Sequence, residues 1–315
     1  MNNTDNYDGF SGSHVLITGG SGLVGRYLTS LLLSEGFRVS HLSRRENLFG
    51  RVRVFRWNPG KGILDADALN GVDYIIHLAG ANIGEKRWTK AGKAEIVTSR
   101  AGSAELLHKV VAENGINIRA FISASATGYY GSLTSEHIYT EEDVPADDFL
   151  GTTCRLWEEA AGLFAGSGIR TVKVRTGVVM EKSDSALSRM LIPARFGVFP
   201  VLGSGKQYMP WIHISDLCNI YLKAILDKSM AGPYNAVAPE HITHLGFMRT
   251  LASVMGKKRF LPPVPGFLLR IAMGEMADVV LKGSRVSSEK LLASGYTFRF
   301  PVLKDALENV LATED

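Results

Sequence analysis

Short apolar runs and longer amphipathic stretches alternate as far as Val179, a spacing that predicts a parallel sheet covered by helices. The first run, Val15, Leu16 and Ile17, is continuous rather than alternating, as expected of a strand buried on both faces. A helix is expected over residues 23–34, with Leu23, Val24, Leu28, Leu31 and Leu32 as its apolar positions, and a second strand over 38–42 after Gly36. Further strands are expected at 51–57, ended by Asn58-Pro59-Gly60, and at 73–78, 120–125 and 171–179. Long helices over 89–113 and 150–165 separate the later strands. The pattern is that of a doubly wound α/β (Rossmann) sheet.

Beyond Val179 the alternation stops. Pro193, Gly197, Pro200, Gly203, Gly205 and Pro210 punctuate the chain, followed by the strand-like Trp211-Ile212-His213-Ile214 and a helix from Ser215. Pro262-Pro263-Val264-Pro265-Gly266 opens a last helical region. The division expected is a nucleotide-binding domain over 14–180, to which later segments return, and a smaller α+β lobe over 181–315 that caps the sheet edge. Residues 1–13, MNNTDNYDGFSGS, are polar and lack the charged-then-apolar order of a signal peptide, so a disordered tail on a cytoplasmic protein is expected.

Composition narrows the function classes. The net charge of +4 comes from 35 basic and 31 acidic residues scattered along the chain, which argues against a nucleic-acid partner. No apolar run reaches the ~18 residues of a membrane span; the strongest, 267–281, is interrupted by Arg270, Glu275 and Asp278. Two cysteines, Cys154 and Cys218, without paired spacing give neither a disulfide framework nor a zinc site, so no metal is expected.

The candidate chemistry begins at the turn after the first strand. Gly20-x-Gly22-x-x-Gly25 and Gly19-x-x-Gly22-x-x-Gly25 overlap there, between strand and helix, in a βαβ unit of about the ~30 residues a dinucleotide fold needs. One glycine allows the reversal, another the approach of pyrophosphate, and Gly25 close helix packing, with phosphate over the free N–H groups of the helix start. The second strand ends in Ser43, Arg44 and Arg45, where an NAD site would carry an acid for the ribose hydroxyls; two guanidinium groups favour a 2′-phosphate, hence NADP, the alternative being two solvated arginines. Small residues Ala79 and Gly80 at the tip of the 73–78 strand leave room for the cofactor, while His77, inside an apolar run, reads as packed. The acidic run Glu141, Glu142, Asp143, Asp147 and Asp148 reads as a solvated surface.

With TGGSGLVG, LSRR, HLAGANI, RWT followed by SR, SASATGYYG, RTGVV, GSGKQYMPWIHISDL and GEMADVVLKGSRV in view, the chain resembles the extended short-chain dehydrogenase/reductase superfamily from His14 to its C-terminus. Within it, the chain looks like the atypical NAD-dependent epimerase/dehydratase-like branch of unknown function, with that branch's own C-terminal tail domain. The resemblance implies cofactor contacts at Gly19, Gly20, Ser21, Gly22, Leu23, Val24, Gly25, Ser43, Arg44, Leu78, Ala79 and near Val178, with Glu95 and Arg100 also close. It places Ser125 where the superfamily's serine bonds the substrate oxygen, and in relatives the two long helices build a dimer bundle.

One departure matters for activity. Where the superfamily has a tyrosine and, four residues on, a lysine, this chain has Cys154 and Glu158; Ser99 stands where the family's helix asparagine is expected. The lysine lowers the tyrosine's pKa and holds the ribose, whereas a carboxylate one turn from a thiol disfavours the thiolate. Three readings follow: an oxidoreductase on a small carbonyl or alcohol substrate, with Ser125, Tyr129, Tyr130 or His213 supplying the proton; an NADP-bound sensor or scaffold without chemistry; and a nucleotide-sugar epimerase or dehydratase. Tyr129 and Tyr130 follow a strand tip and are expected to face the cleft, with stacking as the alternative role; His213 reads first as packing. Phe196, Phe199, Trp211, Phe267 and Met276 are candidates for the pocket or lobe interface, or for the core.

Overall fold

The computed structural model describes Phe10 and residues 12–44, 52–84, 87–257 and 262–312. The first unit runs β1 (His14–Thr18), α1 (Leu23–Ser34), β2 (Arg38–Ser43) and β3 (Arg53–Asn58), which a short β4 (Ile63–Leu64) pairs antiparallel. Then come β5 (Tyr74–His77), α2 (Lys90–Val97), α3 (Ser103–Glu113), β6 (Ala120–Ala126), β7 (Ile138–Tyr139), α4 (Phe149–Gly166) and β8 (Arg170–Thr176). The remainder is β9 (Val178–Met180), α5 (Ala186–Arg195), β10 (Trp211–His213), α6 (Ile214–Leu226), β11 (Gly232–Ala236), α7 (His244–Val254), α8 (Gly266–Met273), α9 (Asp278–Leu281), β12 (Arg285–Val286), α10 (Glu289–Ala293) and α11 (Leu303–Ala312).

The main sheet has the order β11-β8-β6-β5-β1-β2-β3-β4, parallel except at β4, with β1 and β5 as the central pair where the order reverses. This is the doubly wound Rossmann topology. Successive residues of β1 feed opposite cores, as the period of two demands. Val15 and Ile17 pack with Leu28 and Leu32 of α1 and with Ile220, Tyr221 and Ala224 of α6. Leu16 packs with Leu107 and Val111 of α3 and Ala160, Ala161 and Phe164 of α4. A third core holds the smaller lobe together, with Phe199, Trp211, Phe247, Leu251 and Leu307 buried in it.

Several elements differ from the sequence reading. The run 171–179 is two strands, not one. It breaks at Gly177, where the chain leaves the sheet so close to Pro210 that a Cβ would sit 2.7 Å from its carbonyl oxygen, and β9 pairs β10 instead. The helix expected over 89–113 is interrupted by a π turn, Thr98–Gly102, between α2 and α3. An additional parallel strand, β11, escapes the pattern because GPYNA is short and carries Pro233 and Asn235. The acidic run is partly structural: Asp148 caps α4 at the Gly151 N–H and binds the Ser132 N–H, Asp143 accepts from Thr140, and Glu141 accepts from the Asn235 N–H. Of the expected tail, Phe10 packs on the first core and Gly12 bonds the Gly36 carbonyl; residues 1–9 and 11 lie outside the described residues. Among the described residues, no helix is long and apolar enough to cross a membrane.

Three buried histidines couple this fold to pH. Burial pushes His41, His77 and His244 from the usual 6.5 to about 4. An unfolded chain takes up these protons below 6.5 and the folded chain does not until about 4, so the stability from the neutral rings is full above 6.5 and is lost as pH falls through that window. His244 is the clearest test, since among the described residues neither ring nitrogen has a hydrogen-bond partner. Urea unfolding of His244→Phe across pH 4 to 6.5 is expected to show a loss of stability shallower than wild type by up to about 1.4 kcal/mol per pH unit. Parallel profiles would show that the ring titrates normally in the fold.

Candidate functional site

The carboxyl ends of β1 and β5 form a crevice held by one hydroxyl. Thr18 Oγ1 accepts from the N–H groups of Leu78 and Ala79 at 3.2 and 3.1 Å and contacts His77 Nδ1 at 2.8 Å. His77 is fully buried and its Nε2 lies 3.1 Å from Ser103 Oγ, so it packs and positions. The turn out of β1 is stripped of side chains by necessity. Gly19 has φ +71°, and a Cβ there would lie 3.0 Å from the Ala79 nitrogen. A Cβ on Gly20 would lie 2.5 Å from the His41 ring, and one on Gly25 2.5 Å from the Gly19 oxygen. Gly22 is the N-cap of α1, and no side chain caps it, leaving the first-turn N–H groups beneath an exposed Ser21 and Gly22. Leu23 and Val24 are half-buried against the core, which anchors this helix start.

Beside the turn lies a cavity of about 290 Å³ lined by Arg44, Gly80, Ala81, Asn82, Arg87, Gly92, Glu95 and Ile96. It brings together three residues singled out from sequence, Arg44, Gly80 and Glu95, and adds Asn82 and Arg87, which sequence reasoning passed over although RWT was among the matching stretches. Ser43 ends β2, half-buried; Arg45 lies outside the described residues. Arg100 stands behind the cavity wall: its guanidinium covers Gly80, lies 5.1 Å from the Trp157 ring and donates to the Ile96 carbonyl, and burial lowers its pKa. The π turn carries Ser99, whose Oγ accepts from the Ala81 N–H at 2.9 Å, so this hydroxyl shapes the loop between crevice and cavity. Val178 stands half-buried just past the Gly177 break.

The other end of the crevice holds a buried polar network. Glu158 Oε1 accepts from Ser125 Oγ at 2.7 Å and from Arg175 Nε at 2.8 Å, and Oε2 accepts from Arg175 Nη2 at 2.9 Å. Arg175 Nη1 donates to Tyr130 Oη at 3.0 Å, and that hydroxyl donates to Asn235 Oδ1 at 2.7 Å. The Arg175 guanidinium also stacks on the Tyr129 ring at 3.5 Å. Burial opposes the charge on Arg175, but its hydrogen bonds to the Glu158 carboxylate outweigh that, and its pKa rises. Cys154 is buried, and burial followed by the Glu158 charge pushes its thiol up to about 12.

These contacts correct part of the sequence reading. Tyr130 does not face the cleft: it is 2% exposed with both hydrogen-bonding roles of its hydroxyl filled. Ser125, 3% exposed, donates its hydrogen bond to Glu158. Tyr129 is half-buried, its pKa raised by burial against the opposing pull of Arg175. His213 accepts from the Ser215 N–H at 3.1 Å, capping α6, and packs on Phe300. Phe199 and Trp211 are core, whereas Phe196 and Phe267 are exposed and Met276 is half-buried. The partnership of Arg175 with Glu158 was missed; the strand RTVKVRT carries three cations, and only the structure shows that Arg175 is the one buried against the carboxylate at the lysine position.

Topology and crevice define a Rossmann-type protein of short-chain dehydrogenase/reductase architecture. The chain belongs to the NAD dependent epimerase/dehydratase family, which it matches over residues 15–237, and residues 264–310 match a domain of unknown function, DUF1731. It is 37% identical over 304 residues to the mouse (Mus musculus) epimerase family protein SDR39U1, covering 95% of this chain and 99% of that one. To the Bacillus subtilis epimerase family protein YfhF it is 33% identical over 302 residues, covering 95% and 98%. The crystal structure of human epimerase family protein SDR39U1 (isoform2) with NADPH superposes with a TM-score of 0.85 at 32% identity, covering 94% of this chain and 98% of that one.

The ion pair gives a direct test. Arg175→Met strands a buried carboxylate and is expected to lower unfolding free energy in urea by about 3–5 kcal/mol. The double variant Glu158→Leu/Arg175→Met is expected to recover most of that loss, because the penalty lies in the unpaired charge. A single variant as stable as wild type would show that Glu158 needs no counter-charge.

Proposed function

We propose that this chain is an NADP(H)-binding protein of oxidoreductase class, acting on a small carbonyl or alcohol substrate without the superfamily's tyrosine–lysine pair. The observation that carries the reading is the uncapped start of α1, cleared by glycine and adjoining a cavity that contains Arg44. The residues fit the cofactor: an anion at the helix start meets free N–H groups and the positive end of the dipole. Ser21 to Gly25 would hold the diphosphate, with Leu78, Ala79, Gly80 and Val178 along the bound nucleotide and Arg44 on a 2′-phosphate. The family resemblance and the NADPH in the human relative's crystal structure support the same assignment. Bound, the nicotinamide supplies or accepts hydride.

The chain's own residues limit how protons move. Ser125, Tyr130, Glu158 and Arg175 satisfy one another, so Tyr129 is the phenol left for a substrate oxygen. That mutual satisfaction favours a second reading, an NADP(H)-dependent sensor or scaffold whose polar groups serve the fold. The nucleotide-sugar reading has less support, because those reactions lean on the same missing tyrosine. The hollow of about 370 Å³ between the π turn and α4, lined by Thr98, Ala101, Gly102, Leu156 and Leu163 among others, lies on the face where a second copy is expected to pack.

Fluorescence titration should find NADPH bound more tightly than NADH, with Arg44→Ala weakening NADPH by about 10-fold or more and leaving NADH nearly unchanged. Equal affinities in wild type would remove the case for the phosphate. With a panel of quinones, aldehydes and ketones, Tyr129→Phe is expected to cut NADPH oxidation by about 100-fold or more. A folded, NADPH-loaded wild type with no turnover above background would instead establish the sensor.

A further inference from the structure

Arg87 opens the matching stretch RWT, but neither that motif nor the fold gives it a role. Its backbone is fixed just before α2, where its carbonyl accepts from the N–H of Thr89, the residue that caps that helix. Its side chain does two things. It lines the cavity with Arg44 and Glu95, and its Nη2 donates to the carbonyls of Ala272 and Ile271 at 2.8 and 3.3 Å, in the last turn of α8. Among the described residues, Nη1 and Nε have no other hydrogen-bond partner. A neighbouring contact repeats the link, since Lys93 of α2 pairs with Glu275 just beyond α8.

Charge counting shows what Arg87 adds. Arg44 and Glu95 cancel, so a cavity holding only those two charged groups has no net attraction for a phosphate dianion. With Arg87 the cavity carries a net single positive charge and two planar forks. The geometry points to Arg87 as a second ligand, with Arg44, for the 2′-phosphate of NADP(H), oriented for that task by the carbonyls of α8 so that nucleotide binding and docking of α8 reinforce each other. This rests on the NADP(H) reading above. The two roles are compatible because the helix end uses one nitrogen of the fork and leaves the others for the phosphate. By linkage, whatever α8 contributes to phosphate affinity the phosphate returns to the docking of α8. The helix is a suitable reporter, since it has no buried residue and Phe267 and Ile271 are 63% and 72% exposed.

The experiment titrates the full chain and its Arg44→Ala and Arg87→Ala variants with NADPH and NADH, and follows amide hydrogen exchange over residues 266–273 with each nucleotide. Arg87→Ala is expected to weaken NADPH about 10- to 100-fold while leaving NADH within about twofold, so NADH binding doubles as the control for folding. In wild type, NADPH should slow exchange in α8 more than saturating NADH does, and Arg87→Ala should erase that difference. If Arg44→Ala loses the preference for NADPH while Arg87→Ala keeps it, the assignment of Arg87 is overturned and the NADP(H) reading stands. Equal weakening of both nucleotides by Arg87→Ala would also overturn it, by making the residue a structural cap alone. A wild type indifferent to the phosphate sinks the underlying reading instead.

Discussion

Helix α1 approaches the turn after β1 so closely that a Cβ at position 25 would lie 2.5 Å from the Gly19 oxygen, while the His41 ring of β2 denies one to position 20, and the layout of the crevice follows from those contacts. The close approach aims the first-turn N–H groups along the sheet edge instead of burying them under a side chain. Thr18 then joins β1 to β5 through two backbone N–H groups and the His77 ring. The crevice is therefore rigid at its centre, where both walls are strand ends, and is completed at its rims by residues from loops and from the π turn.

The central part of this arrangement was legible in the sequence, since each requirement there is local. A buried strand reads as Val15-Leu16-Ile17, a tight turn as glycines at set intervals, a helix as an apolar stripe. What escaped is non-local. The π turn leaves no trace in apolar spacing, and Gly177 breaks a strand only because Pro210, distant in sequence, stands against it. Strand β11 depends on an edge supplied by β8, which lets a short segment with proline pair where its composition alone predicts none. The stretch RWT was in view but the role of Arg87 was not, for the same reason, since its significance lies in a cavity and a helix end contributed by four separate parts of the chain.

The sequence did expose Glu158 as an anomaly, though not its resolution. A carboxylate at the lysine position is intelligible once Arg175 is seen across from it, buried to 2% exposure, in bidentate contact. The pair keeps a cation near the place where the superfamily has one, but neutralises it. Such a pair adds little to stability beyond what apolar residues of the same volume would give, because desolvation offsets the attraction. Its retention at the head of the crevice is better explained by what it does to neighbours: it fixes Ser125, orients Tyr130 and supplies the face on which Tyr129 stacks.

That neutralised charge bears on which direction of chemistry the site suits. A lone lysine stabilises a phenolate and lets a tyrosine accept a proton from an alcohol as well as return it to a carbonyl. Beside Tyr129 the positive Arg175 is countered by Glu158, and burial raises the phenol's pKa. A phenol kept neutral donates a hydrogen bond to a carbonyl oxygen but is a poor base toward an alcohol. Within the proposed oxidoreductase reading, the electrostatics thus favour polarising a carbonyl over deprotonating an alcohol, with the buried ion pair acting on the substrate through its neighbour Tyr129.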